Sequence, residues 1–167
     1  EQAISQKLQI QCTSVVSSGT AALHLAALAL GWEKGDIVLT TPLTFLATAN
    51  CAVYVGATPD FVDIDPISYT IDVDKLEEKI KKYVNQGKII KAVIAVDFAG
   101  HPSDWNALTD LSQKYSLQLV DDASHALGAS YHDHMIGSSK FADVTTFSFH
   151  HSNYESSKHS LFSLFLL

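Results

Sequence analysis

Sulfur is scarce in this 167-residue chain, which has two cysteines, Cys12 and Cys51, and a single methionine, Met135. Two scattered cysteines build neither a disulfide framework nor a metal site, and they make a reducing, cytoplasmic compartment the default expectation. Positive charge is also in short supply. Eleven basic residues stand against eighteen acidic ones, giving a formal net charge of -7. No basic run is available to follow a phosphate backbone, so nucleic acid is not an expected partner. The same acidity disfavours an anionic membrane surface. No apolar run approaches the roughly 20 residues that a membrane helix needs, and the opening stretch does not read as a signal peptide. The chain begins at Glu1 rather than at a methionine. Its last stretch, from Ser156, changes abruptly into Leu161-Phe162-Ser163-Leu164-Phe165-Leu166-Leu167, which follows neither helical nor strand periodicity. Both ends are therefore expected to be artificial or truncated.

What is present is apolar material. Hydrophobic residues make up 47% of the chain and charged residues 17%, which is the balance of a soluble domain with a real core. Val15 and Val16 read as a short strand, and Ala21 to Leu30 as an Ala/Leu-rich helix closed by Gly31. Asp36 to Thr41 is a second strand ended by Pro42. Thr44-Phe45 opens a helix to about Val55. Pro59 to Ile64 is a third strand. Asp72 or Asp74 caps a charged helix from Lys75 to Asn85, with Leu76, Ile80 and Val84 as its apolar stripe. Ile89 to Val96 is apolar almost throughout, as suits a parallel strand buried on both faces. Ser103 or Asp104 caps a helix from Trp105 to Tyr115, and Leu117 to Val120 is another buried strand. A β-hairpin is expected around His132-Asp133-His134, whose histidine spacing fits no usual zinc pattern. Val144 to Phe149 is the last strand. This alternation of strand and helix predicts an α/β fold, a mostly parallel sheet with helices on both faces.

Three stretches carry chemistry. At the carboxyl end of the Leu117 strand stand Asp121, Asp122 and His125, where ligands of open α/β sheets bind. A carboxylate there can hold a cationic ring nitrogen; it can equally cap the following turn. Ser17-Ser18-Gly19-Thr20, between strand and helix, aims backbone N–H groups and the positive end of a helix dipole at one spot, an anion site or an ordinary helix cap. Phe45, at a strand-to-helix corner, can stack on a planar ligand or sit in the core. His24, inside an apolar helix, is expected to be packed rather than a ligand.

Taken in order, Ser18-Gly19-Thr20, Thr44-Phe45-Leu46-Ala47-Thr48-Ala49-Asn50, Asp97-Phe98-Ala99-Gly100-His101-Pro102, Asp122-Ala123-Ser124-His125-Ala126-Leu127-Gly128 and Thr146-Phe147-Ser148-Phe149-His150 resemble the nucleotide-sugar aminotransferases of the DegT type. The resemblance implies a pyridoxal 5'-phosphate enzyme with the large domain of the aspartate-aminotransferase fold (fold type I). It implies amino transfer from glutamate to a UDP-linked 4-keto-6-deoxy sugar, in polysaccharide or pseudaminic acid-type sugar biosynthesis, by a homodimer. Carried onto this chain, it implies that Asp122 pairs with the pyridine nitrogen and His125 lies against the ring. Phe45 would stack on the ring face. Gly19, Thr20 and Ser148 would hold the phosphate, and Asp97 would stand one step removed from the ring. The family's cofactor-bearing lysine falls at Asn153, and nothing after it resembles the family. Residues 1–153 are then a partial cofactor-binding domain and 154–167 an aberrant or disordered tail. Lys158 is not promoted to catalyst, no catalytic residue is assigned, and the chain as written is expected to be inactive. A lysine-lacking sugar dehydratase using pyridoxamine phosphate, with His150 and His151 nearby, and a non-enzymatic cofactor-binding domain are the alternatives.

Overall fold

The computed structural model describes residues 1–138, 140–149 and, as backbone, 163–166. Its centre is a seven-stranded sheet in the order Thr13–Val16 (β1), Ser163–Leu166 (β9), Val144–Ser148 (β8), Gln118–Asp122 (β5), Ile90–Val96 (β4), Ile37–Thr40 (β2) and Thr58–Phe61 (β3). From β8 to β3 every pairing is parallel, while β9 runs antiparallel to both β1 and β8. A separate hairpin joins Ser130–Tyr131 (β6) to His134–Met135 (β7), with His132 in the left-handed region at φ 50°. The helices are Gln2–Leu8 (α1), Gly19–Ala29 (α2), Leu46–Tyr54 (α3), Val73–Asn85 (α4) and Trp105–Tyr115 (α5). Among the described residues no helix is long and apolar enough to cross a membrane.

Alternation along the central strands divides the core into two layers. On β4, Ala92 and Ile94 pack with Ala22, Leu23 and Ala26 of α2 and Ala47, Cys51 and Ala52 of α3. Val93 and Ala95 pack on the other face with Leu76 and Ile80 of α4 and Trp105 and Leu108 of α5. Small residues dominate α2 and α3, which lets both helices lie close to the sheet. Trp105 fills the opposite layer, fully buried and stacked on Phe141 at 6.3 Å.

β5 is pinned at its start from both sides. Asp143 accepts a hydrogen bond from the Leu119 amide at 2.7 Å and returns one to its carbonyl at 2.9 Å. Gln118 accepts from the Trp32 indole at 2.7 Å and donates to the Leu30 carbonyl at 3.1 Å.

Several elements differ from the sequence reading. β5 runs through Asp122 rather than stopping at Val120, because the β4 register continues to Val96 opposite Asp122. β3 ends at Phe61, and Ile64 makes only an isolated bridge to Ile71. Val84 is 53% exposed, and Tyr83 takes its place beside Leu76 and Ile80. Helix α1 had no apolar signature strong enough to announce it. In the segment expected to be an aberrant or disordered tail, Ser163–Leu166 form β9. The rest of 150–162 and Leu167 lie outside the described residues, and so does the expectation about them.

Candidate functional site

Because β8, β5 and β4 run parallel, their carboxyl ends meet at one edge of the sheet. β1 reaches the same edge, since two antiparallel steps restore its direction. A cavity of about 390 Å³ opens there, within the range of about 300–1,000 Å³ usual for cofactor and ligand sites. Its walls come from Ser18, Gly19 and Thr20 after β1, Thr44, Phe45 and Ala47 at the start of α3, Val96 and Phe98 after β4, Asp122, Ser124 and His125 after β5, and Ser148 at the end of β8. All six residues named from the sequence as cofactor contacts, Gly19, Thr20, Phe45, Asp122, His125 and Ser148, therefore line one cavity. Asn153, His150, His151 and Lys158 lie outside the described residues.

The anion end is built by α2. Ser18 is its N-cap in extended conformation, and its hydroxyl accepts from the Ala21 amide at 3.1 Å. Its carbonyl accepts from Ala22. Gly19 and Thr20 occupy the first two helical positions, whose amides have no intrahelical acceptor and point out of the helix end. The cap and the anion-site readings thus hold together: Ser18 satisfies the third amide and leaves the first two for a ligand. No lysine or arginine lines the cavity among the described residues, so an anion here is met by backbone and hydroxyl donors and by the helix dipole.

The carboxylate end is Asp122, only 4% exposed. One oxygen, Oδ2, accepts from Thr48 Oγ1 at 2.6 Å, and Thr48 Oγ1 is 2.7 Å from Thr44 Oγ1. Since Thr48 gives its only hydroxyl proton to Asp122, Thr44 is the donor of that second bond. The other oxygen, Oδ1, accepts from the Ser124 hydroxyl at 2.6 Å and the Ser124 amide at 3.3 Å. The amide contact is the turn cap weighed from the sequence; it coexists with the ligand-facing position. Two 2.6 Å contacts are in the range of charge-assisted O–H···O bonds. They fix the rotamer of Asp122 and leave Oδ2 a further lone pair.

Around these ends the apolar walls differ in exposure. Phe45 is 76% exposed at the N-cap of α3, which removes the core alternative and leaves a ring standing at the cavity mouth. His125 makes an edge contact with Phe98 at 6.1 Å between centroids. Gly100 sits below it at φ +84°, where an added Cβ would stand 3.1 Å from the His125 carbonyl oxygen. His24 packs edge-on against Tyr54 at 5.2 Å, away from the cavity walls. Cys51 lies buried on α3, and burial together with the Asp122 charge pushes its thiol up to about 12.

Sequence reasoning missed Thr48, Thr44 and Ser124 as partners of Asp122. The signal was available in part: Thr44 and Thr48 are spaced i, i+4 at the start of a predicted helix, which puts both hydroxyls on one side. The separation of Asp121 from Asp122 was equally implicit. Consecutive strand residues face opposite ways, so Asp121 points into the α4/α5 layer with Leu119, not into the cavity. It is 2% exposed, with Thr145 Oγ1 donating to Oδ2 at 3.4 Å.

Residues 1–154 match the model of the DegT/DnrJ/EryC1/StrS aminotransferase family. The chain belongs to that family. Among curated relatives it is 45% identical, over 150 residues, to UDP-4-amino-4,6-dideoxy-N-acetyl-β-L-altrosamine transaminase of Campylobacter jejuni, covering 90% of this chain and 38% of the relative. Among solved structures it resembles a DegT/DnrJ/EryC1/StrS aminotransferase from Brucella abortus, with a TM-score of 0.91, 29% identity, and coverage of 99% of this chain and 44% of that one. The NtdA structure from Bacillus subtilis with bound pyridoxamine phosphate follows, at TM-score 0.86 and 31% identity over 99% of this chain and 35% of that one. The chain thus spans less than half the length of the relatives it matches. The sheet is that of fold type I pyridoxal-phosphate enzymes, and pyridoxal phosphate is the cofactor of the DegT family. The donors present fit that group: amides at a helix start for a phosphate, a hydroxyl-braced carboxylate for a ring nitrogen, and an exposed aromatic ring for a planar face.

Proposed function

We propose that this chain is the cofactor-binding part of an aminotransferase that moves an amino group from glutamate to a 4-keto-6-deoxy nucleotide sugar. The observation that carries the proposal is Asp122, held by Thr48 and Ser124 in the cavity that the Gly19 and Thr20 amides also line. The UDP-sugar class of substrate rests on the likeness to the altrosamine transaminase. When bound, pyridoxal phosphate supplies an electron sink and an amine carrier. Asp122 accepts the pyridinium N–H and keeps the ring positively charged. Gly19 and Thr20 donate their amides to the phosphate, with the Ser148 hydroxyl beside them. Phe45 would cover a ring face and exclude water, and His125, which also lines the cavity, would lie against the ring. The complete protein acts as a homodimer, a reading supported by the exposed apolar side chains Leu25, Leu28, Val53 and Tyr54 on α2 and α3, and its scarce cysteines favour a reducing, cytoplasmic setting.

Amino transfer also needs a lysine amine as nucleophile and proton carrier. Asn153 stands at that place in the sequence, and an amide nitrogen is neither nucleophilic nor basic at neutral pH. The chain as written is therefore proposed to bind cofactor without covalent attachment and to transfer no amino group. Titrating it with pyridoxamine phosphate, followed by fluorescence, is expected to give saturable binding that Asp122→Asn weakens by about tenfold or more, 1.4 kcal/mol. Borohydride reduction with pyridoxal phosphate and peptide mapping is expected to leave every lysine without a stoichiometric label. Absence of binding, equal affinity in the variant, or a single stoichiometric label on Lys158 overturns the reading.

A further inference from the structure

Just past β4, Phe98 lines two cavities at once. One is the site described above. The other, also of about 390 Å³, is lined by Ile67, Ser68, Tyr69, Ala99 and His101 besides Phe98. A ring from each cavity approaches the Phe98 ring. His125 meets it edge-on at 6.1 Å between centroids and 67° between planes, and Tyr69, from the second cavity, lies at 6.5 Å and 38°.

The backbone that carries Phe98 is firmly held. Asp97 and Ser103 are both fully buried, and the Ser103 amide donates to Asp97 Oδ1 at 2.8 Å. The Ser103 hydroxyl donates to the Val96 carbonyl at 3.4 Å. Inside the turn, the Gly100 amide donates to the Asp97 carbonyl at 3.2 Å and the His101 amide to the Phe98 carbonyl at 3.0 Å. The Asp97 amide donates to the Asp122 carbonyl at 3.2 Å, which fastens the turn to the tip of β5. His125 has no comparable hold on its side chain. Its backbone is set in the turn after β5, where the Ala126 amide donates to the Ala123 carbonyl at 2.9 Å. The imidazole is exposed, and among the described residues no hydrogen bond reaches it. An exposed ring of this kind samples several staggered rotamers unless a neighbour selects one.

We infer that Phe98 is a positioning residue: its ring, mounted on the clasped turn, selects one rotamer of His125 and so presents the imidazole to the cavity in one orientation. The edge contact has the strength for this, since such pairs shift a population about two- to tenfold. That the imidazole lies against the cofactor belongs to the proposed function, and only the expected effect on cofactor affinity rests on that reading.

The test begins without ligand. In the chain labelled with 13C and 15N at histidine, the χ1 rotamer of His125 is read by NMR from three-bond couplings, its resonances being identified by their loss in His125→Gln. The wild-type chain is expected to show one dominant rotamer and cross-relaxation between the His125 and Phe98 ring protons. Phe98→Leu, which stays apolar and loses the ring, is expected to give a rotamer mixture. Phe98→Tyr, which keeps the ring, is expected to retain the dominant rotamer. A role in stability alone would lower Tm in Phe98→Leu and leave the rotamer unchanged. A mixture already present in the wild-type chain, no cross-relaxation between the two rings, an unchanged rotamer in Phe98→Leu, or a mixture in Phe98→Tyr overturns the inference. If neither variant folds, the wild-type rotamer and cross-relaxation decide. Pyridoxamine phosphate is then titrated, and affinity is expected to fall about two- to tenfold in Phe98→Leu and to match wild type in Phe98→Tyr. Unchanged affinity with the rotamer lost overturns the step from imidazole to cofactor. No binding by the wild-type chain, with the rotamer behaviour intact, counts against the proposed function and not against the positioning.

Discussion

The hydroxyl of Thr48 offers the sharpest test of how the site is held. Thr48 is fully buried, and Valine has nearly the same shape, so Thr48→Val removes a donor with little change in packing. What it removes is the 2.6 Å bond to Asp122 Oδ2 and, with it, the acceptor of the Thr44 hydroxyl. Hydrogen bonds to charged groups contribute about 1.5–3 kcal/mol, and Asp122, 4% exposed, has little water with which to replace one. Thr44 is half-buried at the cavity wall, where water can take up its hydroxyl, so its own loss is small. The expected destabilisation is therefore about 1.5–3 kcal/mol. For a chain of this size that lowers Tm by roughly 3–12 °C, at about 2–4 °C per kcal/mol. Asp122 keeps its Ser124 contacts but gains freedom to rotate, and pyridoxamine phosphate affinity should fall by about tenfold. Urea unfolding followed by circular dichroism reads the first effect and fluorescence titration the second. Thr48→Ser, which keeps the hydroxyl and loses a methyl, should recover most of both. Wild-type stability and affinity in Thr48→Val would refute the reasoning. Equal damage in Thr48→Ser would transfer the effect to methyl packing.

Two further expectations concern the cavity's surroundings. Gly100→Ala places a Cβ 3.1 Å from the His125 carbonyl oxygen and forces an L side chain into φ +84°; a loss of about 1–2 kcal/mol is expected, with weaker pyridoxamine phosphate binding as His125 shifts, and unfolding curves that superimpose on wild type would contradict it. Cys51 is buried with its thiol pushed up to about 12, whereas Cys12 is exposed; iodoacetamide at pH 8 should label Cys12 alone in the native chain and both in urea, and equal native rates at the two sites would show that the α2/α3 layer opens readily.

Much of the architecture was written in local signals. The β-branched, unbroken apolar run at Ile90–Val96 became a central parallel strand, and Ser18, Asp72 and Asp104 cap α2, α4 and α5 as their residue types suggest. The cavity residues were legible because each sits at a strand tip or helix start, positions that punctuation residues mark. The partners of Asp122 were harder to read. Thr48 reaches it from 74 positions away in sequence, and nothing local states which of many buried hydroxyls meets which carboxylate. Phe45 illustrates the same limit from the other side: an aromatic at a corner reads as core by composition, and only the packing of α3 leaves it at the surface. The last strand was hidden for a different reason. Without alternation or turn signals near Ser163–Leu166, nothing local announces the neighbours that this run pairs with.

The two consecutive carboxylates of β5 make this strand unusually sensitive to sliding. A shift of one residue along β4 would turn Asp122 into the α4/α5 layer and bring Asp121 to the cavity, exchanging an acceptor braced by Ser124 two residues on for one that has Ala123 at that place. Backbone ladder bonds alone would score the two alignments almost equally. The side-chain clasps at the opposite end of the strand, Asp143 on Leu119 and Trp32 and Leu30 on Gln118, distinguish them, because they close only in one alignment. Those clasps, at Gln118 and Leu119, therefore act as a proofreading device upstream of the chemistry, which decides which of two adjacent acids the cavity receives.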